Sequence, residues 1–306
     1  MQRLWPFLTL VVLALGLTLA TPDFLTATNL SALARQTAVI NIMALGMTLV
    51  IIAGGIDLAV GSTLALAGFV GCYAMQHGWP SGLGVVIGIL AGGLCGLANG
   101  ALTARLRINP FIVTLGMLGI LRGLVLILSG GMPVHRLPAG FEFLGEGSLL
   151  KIPFVLWILA ACAAVVHVLL EHTRMGRYAF AIGSNPEAAV YSGVPVAFHT
   201  TAVYSVCGLL TGLAGMVEAS RLRSGTPTAG QGYELQAIAA VVIGGGSLRG
   251  GEGGVVGTLI GAFIMGLLAN GSDLLGIRPY VQQVIIGAAI ILAVLVDELR
   301  KRRASS

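Results

Sequence analysis

Five polar side chains stand within or beside long apolar runs: Asp57, Asn99, Glu218, Glu234 and Asn270. Ionisable groups in such places are costly in a membrane and concentrate along solute or proton paths. Carboxylates and amides can hydrogen-bond a polar solute, and equally one another across helices. Asp57, flanked by Gly54, Gly55 and Gly61, therefore has two readings, as a path residue and as the structural bond of a broken helix. Glu218 lies one turn before Arg221, where an intrahelical ion pair explains it as well as a path does. Arg122, in mid-run, is expected to snorkel or pair. His167 lacks clustered His, Cys or acidic companions and reads as a packed or capping histidine, and the expected metal complement is none.

Covalent chemistry finds no support. Ser62, Ser205 and Ser247 have no base placed beside them by spacing, although His167 and His199 exist, and no Gly-x-Ser-x-Gly elbow occurs. The only lysines, Lys151 and Lys301, follow Leu150 and Arg300, so a phosphate-binding Gly-Lys-Ser/Thr loop is impossible. Any ATP and Mg would belong to a separate chain, with no cofactor and no catalytic residue here. A proton relay through Asp57, Glu218 and His167 would instead make a proton-coupled secondary transporter.

A second cluster is polar and built for a short helix. In GRYAFAIGSNPEAAVYSGVP, which starts at Gly176, Ser184 or Asn185 can cap, Pro186 suits the first turn, and Glu187 favours the positive end of the helix dipole. Ser184 and Glu187 have capping-box spacing. Ala188 and Ala189 propagate a helix that Gly193 and Pro195 stop. The result is about two turns, too short to persist alone in water, so docking against something is expected.

The elements that hold these residues are apolar. The 306-residue chain is 56% hydrophobic and 9% charged, with a mean hydropathy of +0.94, far from the roughly 25% charge of soluble domains. An all-α polytopic membrane protein follows, a single transmembrane domain over 1–306. Runs near 5–20, 35–54, 59–76, 82–104, 110–129, 152–170, 200–220, 235–246, 254–271 and 279–297 give about ten transmembrane helices. The run at 235–246 is short enough to be broken or re-entrant, and so is the stretch around Asp57. The first run reads as a retained helix rather than a cleaved signal.

Placing the N-terminus in the cytoplasm puts Arg3, Arg105, Arg107, Arg174, Arg177, Arg249, Arg300, Lys301, Arg302 and Arg303 on that side, with both termini inside. The pI of 9.3 then reflects topology and anionic lipid, not nucleic acid. Cys72, Cys95, Cys162 and Cys207 all lie in apolar runs without metal-like spacing and read as small core residues.

Glycine is the last compositional signal, at 45 residues. Gly92, Gly96 and Gly100 have the four-residue spacing of close helix approach. Two clusters interrupt the apolar pattern, GGIDLAVGS at 54–62 and GGGSLRGGEGG at 244–254. They read as breaks near a solute path or as tight turns between neighbouring helices.

Glu187-Ala188-Ala189 with Gly193 resembles the EAA-type signature of ABC importer permeases, and its surroundings are similar to the sugar branch. PTAG at 227–230, GYEL at 232–235, AIAAVV at 237–242, GGGSL at 244–248, GTLIGA at 257–262 and Asn270-Gly271 follow in the order of ribose-type permeases. GGIDLAVGS at 54–62 and NPFIVTLG at 109–116 resemble the same family, so the likeness runs from about 38 to 297. The stretch from Tyr233 to Ser247 favours it over the related branched-chain amino-acid permeases.

The resemblance implies the transmembrane subunit of a monosaccharide ABC importer in a bacterial cytoplasmic (inner) membrane. Its partners would be a cytoplasmic ABC ATPase, a periplasmic or lipid-anchored sugar-binding protein and a second permease subunit as a homodimer. It also implies that the segment 171–199 carries a cytoplasmic coupling helix, with Gly183, Asn185, Glu187, Ala188, Ala189 and Gly193 facing the ATPase. Asp57, Asn99, Glu218, Glu234 and Asn270 are then candidates for the sugar path.

Overall fold

Three tiers of packing account for the architecture: a buried central helix, a glycine seam and an apolar exterior. The computed structural model describes residues 4–304. Its elements in order are α1 (Leu4–Ala20), α2 (Ala27–Ile52), α3 (Val60–Gln76), α4 (Ser81–Arg105), α5 (Pro110–Ser129) and α6 (Phe143–Glu146). The two-residue strands β1 (Ser148–Leu149) and β2 (Ile152–Pro153) form an antiparallel hairpin. Next come α7 (Phe154–His172), α8 (Arg174–Ser184), α9 (Pro186–Tyr191), α10 (Val196–Arg221), α11 (Tyr233–Ile243), α12 (Val255–Leu274) and α13 (Pro279–Ala304).

The molecule is an all-α membrane protein. Six helices, α2, α4, α5, α7, α10 and α12, are long and apolar enough to cross a membrane. Four shorter apolar helices lie at the start of the chain, at α3, at α11 and within α13. Leu15, Leu19, Leu94, Ile120, Ile127, Val165 and Ile291 are exposed along these helices. An outer surface of this kind suits hydrocarbon and not water.

Helix α2 is the axis of the bundle. Every residue from Thr37 to Ile52 is buried, and α7, α10, α11 and α12 all pack against it. A helix apolar on all sides belongs in such a position.

The most extensive pairing joins α4 to α10, and glycine is the reason. Gly92, Gly96 and Gly100 face Gly208, Gly212, Tyr204 and Thr201 with backbone against backbone. A methyl group added at Gly92 would lie 2.7 Å from the Gly212 Cα. In lipid, helix association rests on such close packing because the tails are as apolar as the side chains.

Several basic residues gather at either end of the bundle. Arg105, Arg107, Arg174, Arg177 and Arg249 accompany the ends of α4 and α7, the helix α8 and the α11–α12 turn. At the opposite end, Arg35 donates to the Glu146 carbonyl oxygen at 2.9 Å, and Arg223 pairs with Glu146 at 3.0 Å. Arg3 lies outside the described residues, as do the side chains of Arg300, Lys301, Arg302 and Arg303.

If the glycine seam sets the α4–α10 distance, Gly92→Val will lower the thermal midpoint of the purified protein in detergent. Overpacking of this kind costs about 1–3 kcal/mol. Gly116→Val, at a site open to 4 Å around the added carbon, will leave the midpoint near that of the unsubstituted protein.

Candidate functional site

The polar segment between α7 and α10 is two helices, not one. Within the expected segment 171–199, Glu171 and His172 continue the apolar α7, and residues 196–199 already belong to α10. Thr173 closes α7 in an extended conformation, and α8 follows at once. Helix α8 runs through Ser184, so Ser184 is not a cap and the capping box does not form. The cap of α9 is Asn185, whose side chain accepts the Ala188 N–H at 2.9 Å, with Pro186 in the first turn. Gly193 ends the helix with φ of +79°, a value that glycine adopts without strain.

Helix α9 is six residues long and buries only Ala189. Glu187, Ala188, Val190 and Tyr191 are exposed, Tyr191 at 90%. Val190, Tyr191 and Glu187 line one wall of an open cleft of about 950 Å³ whose other wall includes Thr103, Arg107 and Pro110. An aromatic and a valine standing out of a polar segment form a surface suited to another protein.

Behind this surface the two glycine clusters meet. Gly183, at the end of α8, packs against the end of α2 so closely that a methyl group there would overlap the Ile52 carbonyl oxygen. A carbon added at Gly250 would lie 2.8 Å from the Gly183 Cα and 2.9 Å from the Gly54 Cα. The Gly251 N–H donates to the Ile52 carbonyl at 2.9 Å. The α2–α3 link, the end of α8 and the α11–α12 turn thus touch through bare backbone.

Asp57 and Asn99 come together. Asp57 is 2% exposed, accepts the Ala59 N–H at 2.9 Å and receives Asn99 Nδ2 at 3.2 Å on each carboxylate oxygen. Asn99 Oδ1 is buried with no hydrogen-bond partner. Beside them the Ile56 carbonyl accepts the hydroxyls of Tyr204 at 3.2 Å and Thr114 at 3.1 Å. Such bonds fasten the α2–α3 link to α4, α5 and α10.

The other candidates are apart from this pair. Glu218 receives Arg221 Nε at 3.0 Å and Nη2 at 2.9 Å, and Tyr233 donates its hydroxyl at 3.2 Å. The expected ion pair therefore forms, with an additional tie to α11. Half-buried Glu234 accepts the Gly232 N–H at 3.3 Å. Asn270 exchanges side-chain amide bonds with Asn29, at 2.8 and 3.1 Å, linking α12 to α2. Arg122 donates to the carbonyls of Pro227 at 2.6 Å and Ala229 at 3.0 Å.

Sequence reading missed three participants. Tyr204 carries no motif of its own, Thr114 stands in the NPFIVTLG stretch without being singled out, and Asn29 lay before the run that was read as a helix. His167 corrects an expectation: its ring lies 5.9 Å from that of His172 on the exposed side of α7, and it is not packed in the core. Among the described residues no three of His, Cys, Asp or Glu converge as metal ligands.

The Asp57–Asn99 bond has a stability consequence. Asp57→Ala leaves the buried Asn99 amide unpaired, a loss of about 1–3 kcal/mol, visible as a lower thermal midpoint. Asp57→Asn retains an acceptor for Ala59 and a partner for Asn99, and its midpoint will stay near that of the unsubstituted protein.

Comparison with other proteins agrees with this architecture. The family described as "Branched-chain amino acid transport system / permease component" matches residues 29–294. The ribose import permease protein of Escherichia coli K12 is 44% identical over 299 residues, covering 95% of this chain and 92% of its own. That of Bacillus subtilis 168 is 43% identical over 306 residues, covering 99% and 94%. The L-arabinose ABC transporter permease protein of Azospirillum brasilense is 39% identical over 293 residues, covering 96% and 86%. No solved structure matches the chain. Likeness along nearly the whole of these lengths has one meaning: the chain belongs to this permease family of ABC importers.

Proposed function

We propose that the chain is the transmembrane subunit of an ABC importer that brings a monosaccharide, ribose or a similar pentose, into the cytoplasm. The carrying observation is the 44% identity to a ribose import permease over 95% of the chain. The family description names branched-chain amino acids, but ribose, arabinose, allose and fructose permeases are among the curated relatives that match along most of their lengths.

In this reading the four shorter apolar helices join the six long ones as ten spans, some reaching only part of the way across. The end bearing Arg105, Arg107, Arg174, Arg177 and Arg249 faces the cytoplasm, in keeping with the positive-inside rule, and both termini lie on that side. A second copy completes the permease, and a sugar-binding protein delivers substrate at the Arg221 end.

Helix α9 is the coupling helix in this reading. Its exposed Glu187, Val190 and Tyr191 offer a surface to a cytoplasmic ATPase that holds ATP and Mg. Gly183 joins the segment to the ends of α2 and the α11–α12 turn, so a push on α9 reaches both breaks. ATP can bias transport only through contacts that differ between the two states, and a capped helix pressed on backbone transmits such a difference. Asp57 and Asn99 brace this junction, and Asp57, Asn99, Glu218, Glu234 and Asn270 are the candidates for the sugar path.

Two experiments test the reading. Tagged protein captured from its native membranes will carry a Walker-motif ATPase and a sugar-loaded binding protein; a permease recovered without any ATPase would move the assignment to secondary transport. In the reconstituted importer, Glu187→Ala combined with Gly193→Pro will abolish sugar-stimulated ATP hydrolysis with membrane insertion intact. Proline cannot adopt the positive φ at 193. Undiminished stimulation would refute the coupling role of α9.

A further inference from the structure

One stretch of non-helical backbone runs through the interior of the bundle. Residues 222–232 connect α10 to α11, and Ser224, Gly225, Pro227 and Gly230 are buried. Helix α11 has 11 residues, about 16 Å at the rise of an α-helix against roughly 30 Å of hydrocarbon. The stretch therefore carries the chain from the Arg221 end to the depth where α11 begins. Irregular backbone at such depth persists only where protein buries it or where it lines a polar cavity.

The stretch is held by hydrogen bonds more than by large side chains. Gly225 exchanges backbone bonds with Val134, both at 3.0 Å, near its beginning. Arg122 reaches across from α5 and places one nitrogen, Nη1, on the carbonyls of both Pro227 and Ala229. Tyr233, just past the stretch, is tied to Glu218. Gly230 presses on Gly61 of α3, where a methyl group would overlap the Gly230 carbonyl and the Glu234 carboxylate. Gly230 and Gly232 both have positive φ, +69° and +80°, so the bend depends on residues that turn freely. Beside it lies a cavity of about 10 Å³ walled by Leu64, Gly68, Gly215, Glu218, Ser224 and Thr226, close to the lower limit for a single water.

We propose that 222–232 is the gate of the solute pathway in this subunit and that Arg122 is its positioning residue. With Arg122 on both carbonyls, the stretch is closed against α3. When Arg122 lets go, the Pro227 and Ala229 carbonyls face the opening as acceptors without donors. A neutral polyhydroxylated solute supplies O–H donors that match them, whereas a carboxylate does not. The proposal rests on the importer reading for its solute and extends it to the place where closure occurs.

The test uses purified protein in proteoliposomes with radiolabelled ribose. Arg122→Ala is expected to let ribose equilibrate without ATP at least about tenfold faster than the unsubstituted protein, the scale of one lost charge-assisted hydrogen bond. Arg122→Lys, which keeps a cationic donor, is expected to leak less than Arg122→Ala. An Arg122→Ala protein that inserts normally and is as tight as the unsubstituted one overturns the proposal. This arm needs no ATPase but takes its solute from the importer reading, so ATP-driven ribose import by the complete importer separates failure of that reading from failure of the gate.

Should Arg122→Ala fail to insert, Thr226→Cys decides in a chain that retains Arg122. Its rate of labelling by a membrane-impermeant thiol reagent is expected to differ about tenfold between the ATP-free and vanadate-trapped importer, the equivalent of about 1.4 kcal/mol in gate position. Equal rates in a complex that imports ribose overturn the gate while leaving the importer intact.

Discussion

A polar backbone group inside an apolar bundle needs a partner, and that requirement organises this molecule. Hydrocarbon offers no hydrogen bonds, so each break in a helix has to be repaired by protein. The repairs come from other helices. The Ile56 carbonyl is served by Tyr204 and Thr114, and the Phe141 carbonyl by Ser220 at 2.7 Å. Pro227 and Ala229 are served by Arg122, and Ile52 by the N–H of Gly251. Each bond ties a non-helical segment to an element distant in sequence. The breaks are therefore the points at which the helices are coupled.

Glycine supplies the complementary condition. Donors and acceptors of two backbones meet only if no side chain separates them, and this occurs at the Gly54, Gly183, Gly250 and Gly251 junction. The α4–α10 seam uses the same device for rigidity, without any break. A transporter needs both: helices that move as fixed pairs, and joints where a small displacement is passed on. The seam has the close backbone packing of a fixed pair, and the junction brings the α2–α3 link, α8 and the α11–α12 turn into contact. The short exposed α9 lies next to the junction, the position from which a partner's motion would be felt by two breaks at once.

Much of this was legible in the residues. Length and spacing of the apolar runs located the six helices long enough to cross a membrane, and the shorter apolar helices, α11 included, fall on the shorter apolar runs. Pro186 and Gly193 marked the two ends of α9, with the cap left between Ser184 and Asn185, because caps and stops depend on local backbone geometry. The Glu218–Arg221 pair was visible for the same reason, a one-turn separation on a single helix. Helix α8 was not separated from α9, since both share one polar stretch and the break between them rests on the extended conformation of Asn185.

By itself, then, the sequence determined class, the order of the long apolar helices and short-range features such as the Glu218–Arg221 pair, all of which depend on composition or on neighbours within a turn or two. It left each buried polar residue with two readings. Only the tertiary structure decided between partners: Asp57 with Asn99, Asn270 with Asn29, Arg122 with two carbonyls more than 100 residues away. The two glycine clusters, indistinguishable as turns or breaks, became one junction when folding brought them to Gly183. The physical reason is that partners of a buried group are chosen by proximity across helices, and helix-to-helix proximity is a property of packing that no local spacing records.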